Sequence, residues 1–296
     1  MSAAMCDIRP LTEDEGRYQD VFYNAFYQIT QSDNVLLEKV NQYFDTKVMK
    51  KLTDAFGCDE EFSLLGVGVG EGPHEYHFLK QLQTCFSTTY AVAVEPNEVL
   101  LQTFKDKVAS LNSNGNSSVF CHGFNGPLSE FVSGSPLVKT RYNLITSIHS
   151  IYYTGDIETT FTQLATMMKE SGLIIVVAKN EDLMSKTHSK FTWLREKTQS
   201  NPAVSSKNLQ KVAESKGYDV TAVDIPMQWD ITEVFDDQSD FGNKLIDFFT
   251  QALYFRQTAP SEVMGDFLTF WRSISKEDKD GRILSPSHIE LLVISK

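Results

Sequence analysis

Apolar residues change their spacing several times along the chain, and each change marks an element. From about residue 15 to 56 the spacing is helical, with Tyr18, Phe22, Phe26 and Tyr27 recurring among polar residues. Beyond this region come seven short strand-like stretches, at 62–67, 90–94, 119–122, 142–149, 173–178, 220–225 and 289–294. Helical spacing separates most of them, at 73–83, 98–111, 157–170 and 208–216. Strands that alternate with helices pair in parallel through right-handed crossovers, which puts helices on both faces of the sheet. Such strands read as unbroken apolar runs, and the longest run here, GLIIVVA at Gly172–Ala178, has that form. No run reaches the roughly 18 residues that a membrane-spanning helix needs.

The pattern predicts an α/β fold: a seven-stranded, mostly parallel Rossmann-like sheet with helices on both faces. Helices precede it at the N-terminus, and a helical insertion at 226–282, with helices at 244–254 and 261–274, interrupts it before the last strand. The whole of 1–296 reads as a single domain, with 1–56 as an N-terminal helical cap. There is no internal repeat, and the one low-complexity stretch is the loop LNSNGNSS at 111–118.

Charge narrows the possible partners. Asp and Glu total 39 against 27 Lys and Arg, a formal net charge of −12. No basic cluster is available to neutralise phosphates, so no nucleic-acid partner is expected. The acidic balance mildly favours small cationic partners. Cys6, Cys58, Cys85 and Cys121 form no CxxC pair and no Cys/His zinc pattern, so neither a disulfide framework nor a metal site is expected. The opening MSAAMCDIRPLTEDEG has no apolar core of a secretory signal. The expectation is a reduced, cytoplasmic protein with no membrane partner, and a monomer, since no apolar patch stands out.

The segment LLGVGVGEGP carries the most chemistry. Gly66, Gly68, Gly70 and Gly72 recur at every second position directly after the first strand, and a helix begins near Pro73. Strand, glycine turn and helix let a ligand approach the backbone, although tight turns alone also use glycine. The spacing speaks against a dinucleotide. Counting from Gly68, Pro73 stands where the third glycine of G-x-G-x-x-G belongs. An uncharged adenosine suits the turn better. Glu95, in VEPN, ends the second strand about 20 residues on, where an acid accepts hydrogen bonds from both hydroxyls of a ribose.

Turn and acid together resemble the class I S-adenosylmethionine-dependent methyltransferases, whose last two strands pair antiparallel. The likeness narrows through GRYQDVF at 16–22, GVGVGEG, VEPN, SIHSIYY at 147–153, IIVV at 174–177, TAP at 258–260 and the closing strand. Over nearly the whole chain these resemble the histamine N-methyltransferase family. The resemblance implies S-adenosylmethionine as cofactor, held by the turn glycines Gly66, Gly68, Gly70 and Gly72. Gly68 would lie at its methionine end, Glu95 on its ribose, and Asn97 with Asn125 or Gly126 near its adenine. Ile148 would close over it by its backbone. Leu100 stands where the family has a glutamine, so that contact is absent.

On the substrate side the resemblance implies an aromatic box of Tyr18, Phe22, Tyr152, Tyr153 and Phe255. Rings suit a flat or cationic guest. The family's polar substrate contacts are a glutamate, a glutamine and an asparagine. Gln31, His149 and Ser287 stand in their places, and Asp33 is a possible substitute for the missing acid. His149 is the candidate catalytic residue, able to position the acceptor or take its proton. The implied activity is S-adenosylmethionine-dependent N-methylation of a small imidazole-type, aromatic or biogenic amine. Alternatives are a histidine-containing dipeptide, a phenolic hydroxyl, or a catalytically inactive cofactor-binding module. No Asn-Pro-Pro-Tyr tetrad of the kind used on nucleic acid or protein follows the fourth strand.

Overall fold

The computed structural model describes residues 8–31, 34–57, 61–113, 118–198 and 204–296. Cys6, Cys58 and Asp33 lie outside these, while Cys85 and Cys121 carry free thiols. Gln31 ends the helix Tyr27–Gln31. Among the described residues no helix is long and apolar enough to cross a membrane.

The chain falls into two compact units. One comprises the described residues of Leu36–Lys179, Val204–Ile225 and Ile289–Lys296, the other those of Met1–Val35, Asn180–Ala203 and Pro226–His288. Among the described residues eight strands form one sheet: β1 Glu61–Val67, β2 Thr88–Glu95, β3 Ser118–Asn125, β4 Tyr142–Ile148, β5 Met168–Glu181, β6 Asp219–Asp230, the two-residue β7 Lys276–Glu277, and β8 Ile283–Ser295. The strand order is β3-β2-β1-β4-β5-β8-β6, with β7 paired to β8 off this path.

In the first unit β1 pairs in parallel with both β2 and β4, β2 with β3, and β4 with β5. From β1 the chain builds outward through β2 to β3, then returns to lay β4 on the other side of β1. The winding therefore reverses between β1 and β4, and the crevice at the carboxyl ends of these strands is where ligands of such sheets bind. Successive residues Leu64 through Val67 of β1, and Leu173 through Ala178 of β5, are all buried, as parallel strands covered on both faces require. Side-chain caps fix the starts of the flanking helices Glu98–Ser110, Ile157–Met167 and Ser206–Ser215, supplied by Asn97, Asp156 and Ser205.

The predicted helix at 157–170 ends at Met167. The next residue, Met168, is buried and opens β5 opposite Tyr142, so sheet pairing overrides the helical spacing. Two short helices, Leu183–Lys190 and Thr192–Thr198, fall where no element was predicted.

The second unit has its own core, in which Leu245, Phe249, Phe255, Phe267 and Trp271 are buried and Tyr18, Phe22 and Phe26 pack against it half-buried. A π-helical stretch, Phe22–Phe26, follows the helix Glu15–Val21. Phe26 stacks on Phe248 with ring centroids 3.9 Å apart.

Candidate functional site

Everything proposed for the nucleoside lies in the sheet unit, at the carboxyl ends of β1 to β4. The glycines of the turn differ in what surrounds them. A Cβ on Gly68, whose φ is +63°, would stand 2.4 Å from the Cβ of Ser150, so no side chain fits there. Gly70, at φ +56°, has nothing within 4 Å of its missing side chain. It is the glycine that leaves the backbone bare toward open space. The space beside Gly72 is filled by the ring of Phe104, and that beside Gly66 by Val69.

Glu95 is 8% exposed and braces the turn from β2. Its Oε2 accepts the Gly70 N–H at 2.9 Å and its Oε1 accepts the Asn97 N–H at 2.9 Å. A carboxylate oxygen has two acceptor positions, so each still has one for a further hydroxyl. An open glycine backbone beside an acid with two remaining acceptor positions fits an adenosyl group with a free ribose diol.

The side chains of Asn97 and Asn125, just after β2 and at the end of β3, have partners within the protein. Asn97 Oδ1 accepts the N–H groups of Val99 (3.0 Å) and Leu100 (3.2 Å) and caps the helix. The Asn125 amide donates to the carbonyls of Glu95 (3.2 Å) and Pro96 (2.9 Å). Both residues shape the exit from β2, opposite which Asn125 pairs with Glu95. Gly126 donates its N–H to the Glu95 carbonyl at 3.2 Å, and Ile148 closes β4 beside Val177.

His149 follows Ile148 in a left-handed backbone conformation, φ +54°, with its N–H bonded to the Val177 carbonyl at 2.9 Å. Non-glycine residues seldom adopt this conformation, and it recurs at functional sites. Burial, and secondarily the Lys179 charge, push the imidazole down to about 4, so it is neutral at physiological pH. Its ring centroid lies 6.4 Å from that of Tyr152. The Tyr152 hydroxyl accepts the Lys179 backbone N–H, and the Lys179 ammonium stands 5.4 Å from the Tyr152 ring centroid. Tyr153 is 67% exposed and meets Tyr152 edge-on at 6.2 Å.

Several site features were invisible in the sequence. Glu75, in the first turn of the helix Pro73–Leu82, is 2% exposed and takes the Thr146 hydroxyl bond at 2.9 Å. Burial pushes its carboxyl up to about 7. Burial and the nearby His149 and His77 push His74 down to about 3. Lys179 beside Tyr152 had one sequence signal: it directly follows the apolar run of β5.

In the other unit, Tyr18 and Phe22 stack with centroids 6.1 Å apart. Phe255 is wholly buried in the core, 5.0 Å from Phe267. Ser287 is fully buried and its hydroxyl has no hydrogen-bond partner among the described residues, as is also true of Ser285 two positions earlier on the same face of β8. Among the described residues no cluster of His, Cys, Asp and Glu is arranged to hold a metal ion.

Comparison with known proteins gives the family. Residues 40–223 match the family model described as a methyltransferase domain. The chain is 22% identical to a histamine N-methyltransferase of Xenopus tropicalis over 298 residues, covering 98% of both chains. It is 25% identical to that of Danio rerio over 238 residues, covering 79% of this chain and 81% of the relative. In fold it is similar to the solved structure of a candidate methyltransferase from Bacillus halodurans, with a TM-score of 0.50 and 13% identity over 83% of this chain and 97% of that one. The chain belongs to the methyltransferase-domain family, with a class I fold and S-adenosylmethionine as its cofactor.

Proposed function

We propose that this methyltransferase acts on a ring or amine nitrogen of a small molecule, an imidazole-type or other aromatic amine, and that His149 orients the acceptor. The observation that carries this reading is the placement of His149. A strained backbone at the end of β4 holds a neutral imidazole at the crevice where the winding reverses. The similarity to histamine N-methyltransferases over nearly the whole chain supports the substrate class.

S-adenosylmethionine, when bound, supplies a methyl group already activated by its positive sulfur. The protein's task is then to exclude water and hold a nitrogen lone pair in line at about 3–3.5 Å. We assign the turn at 66–72 and the free acceptor positions of Glu95 to the donor's nucleoside. An imidazole titrating near 4 accepts a hydrogen bond but does not retain the proton at neutral pH. His149 thereby selects the acceptor tautomer whose attacking nitrogen is bare, and the acceptor's proton leaves to solvent after transfer. The rings of Tyr152 and Tyr153 offer π faces to the positive charge that passes to the acceptor. Acceptor contacts for Tyr18, Phe22, Gln31, Phe255 and Ser287 rest on the resemblance. For Ser287 the unpartnered buried hydroxyl adds support.

Transfer of labelled methyl to a panel of imidazoles, biogenic amines, histidine-containing dipeptides and phenols tests the class. Turnover on amines and imidazoles is expected. Binding of S-adenosylhomocysteine without turnover on any of them would instead favour a cofactor-binding module. His149→Gln combined with Gln31→Glu should raise activity toward histamine, because it restores the residue types of the histamine enzymes. No gain would refute the proposed acceptor contacts.

A further inference from the structure

β4 and β1 stop pairing at Thr146 and Gly66, the first residue of the glycine turn. One residue further on, side chains take over from the ladder. The Ser150 hydroxyl donates to the Val67 carbonyl at 2.5 Å, and the Ser147 hydroxyl lies 2.8 Å from that of Ser150. Since Ser150 spends its proton on Val67, its oxygen accepts from Ser147, and the three form a directed chain. Ser147 is fully buried and Ser150 is 8% exposed.

Val67 and Gly68 share one peptide group. Its carbonyl is held by Ser150 from the β4 side, and its N–H donates to the Val94 carbonyl of β2 at 2.7 Å. Both polar groups of this peptide are thus bonded across the sheet in opposite directions, which fixes the plane from which Gly68 turns to φ +63°. The β-carbon of Ser150 occupies the space beside Gly68, so the same residue both pins the peptide and excludes a side chain. The neighbouring His149, at φ +54°, belongs to the same stretch of chain.

We propose that Ser150, braced by Ser147, is the positioning residue of the cofactor turn: its hydroxyl pins the Val67–Gly68 peptide and keeps the turn formed before S-adenosylmethionine arrives. Such preorganisation strengthens binding by removing the cost of ordering the turn. The proposal rests on the turn at 66–72 being the cofactor's seat.

The test measures amide hydrogen exchange and calorimetric S-adenosylhomocysteine binding in the full chain, for wild type, Ser150→Ala and Ser147→Ala. In wild type the ligand should bind and protect 66–72. In Ser150→Ala the free protein should exchange about tenfold faster at 66–72 and bind about tenfold more weakly, the change expected for one lost buried hydrogen bond. Exchange in the helix Glu98–Ser110 should not change, whereas a merely structural role would move it too. Ser147→Ala should act in the same direction but less, because Ser150 keeps its own donor. If Ser150→Ala does not fold, Ser147→Ala decides by the same criteria. Unchanged exchange and affinity, or a rise spread over the whole unit, would overturn the positioning role. Wild-type protein that binds the ligand without protecting the turn, or does not bind it, would refute the seat itself, and that result appears before any variant is made.

Discussion

His149 is half-buried and Glu75 buried, and desolvation moves these two titratable groups in opposite directions. The imidazole is held near 4 because desolvation disfavours its charged form and the Lys179 charge repels a second cation. On an imidazole acceptor, kcat/KM should therefore rise with the acceptor's own pKa and show no enzyme limb near 6.5. Repeating the profile with an acceptor of different pKa should move the limb with it; a fixed limb near 6.5 would show that His149 titrates normally. Glu75 is raised from 4.5 to about 7 by burial, which outweighs its own backbone N–H and the Thr146 hydroxyl. A raised carboxyl contributes stability that is fully present below 4.5 and is lost as pH rises through about 7. Glu75→Gln keeps an acceptor for Thr146 but cannot ionise. Relative to wild type it should gain up to about 3 kcal/mol between pH 4.5 and 8. His74 and His149 run the other way, with stability present above 6.5 and lost as pH falls toward about 3 and about 4. They are common to both proteins, so the difference between two urea denaturation series isolates Glu75. An equal difference at both pH values would show that Glu75 is not raised.

At the scale of the element, the glycine turn separates fold from binding. Gly68→Ala would force a Cβ into Ser150 at 2.4 Å, with backbone or strand having to give, so both stability and cofactor binding should fall. Gly70→Ala meets no atom within 4 Å. Its cost to stability is that of a left-handed alanine, about 1–2 kcal/mol, yet its methyl group intrudes where the nucleoside should approach. A thermal midpoint lower by only a few degrees, with S-adenosylhomocysteine affinity at least about tenfold weaker, is the expected pair of results for Gly70→Ala. Unchanged affinity would remove Gly70 from the seat. The turn and Glu95 were legible in the sequence because their signal is local: glycines in alternate positions and an acid at a strand end. Ser150, Thr146 and Glu75 carried no such signal, since their partners Val67 and each other lie 83 and 71 positions away. The cap made by Asn97 and the carbonyl contacts made by Asn125 were not legible, because they depend on where the backbone bends. The start of β5 at Met168 was hidden for a related reason: only pairing with Tyr142 decides it.

At the scale of the molecule, the sequence suggests a helical cap at 1–56 and an insertion at 226–282, and contacts count 36–56 in one unit and gather the described residues of Met1–Val35, Asn180–Ala203 and Pro226–His288 into the other. The tie that joins its first and last segments spans 230 positions. Arg17 Nε and Nη2 donate to Asp247 Oδ2 at 2.9 and 2.6 Å, Asp247 Oδ1 accepts the Phe255 N–H at 2.8 Å, and the guanidinium lies 4.8 Å from the Tyr254 ring centroid. Asp247 is 1% exposed, and burial raises its carboxyl even against the Arg17 charge. Breaking such a pair from one side leaves a buried, uncompensated charge, so Arg17→Met should cost about 3–5 kcal/mol. Adding Asp247→Asn removes that charge while an amide oxygen still accepts from Phe255, so the double variant should be more stable than Arg17→Met alone. Trp193, Trp229 and Trp271 are the chain's three tryptophans, and all belong to this unit. Tryptophan fluorescence during denaturation therefore reports on it selectively, while S-adenosylhomocysteine binding reports on the sheet unit. A double variant no more stable than Arg17→Met would mean that packing around Arg17, and not the charge on Asp247, holds the segments together.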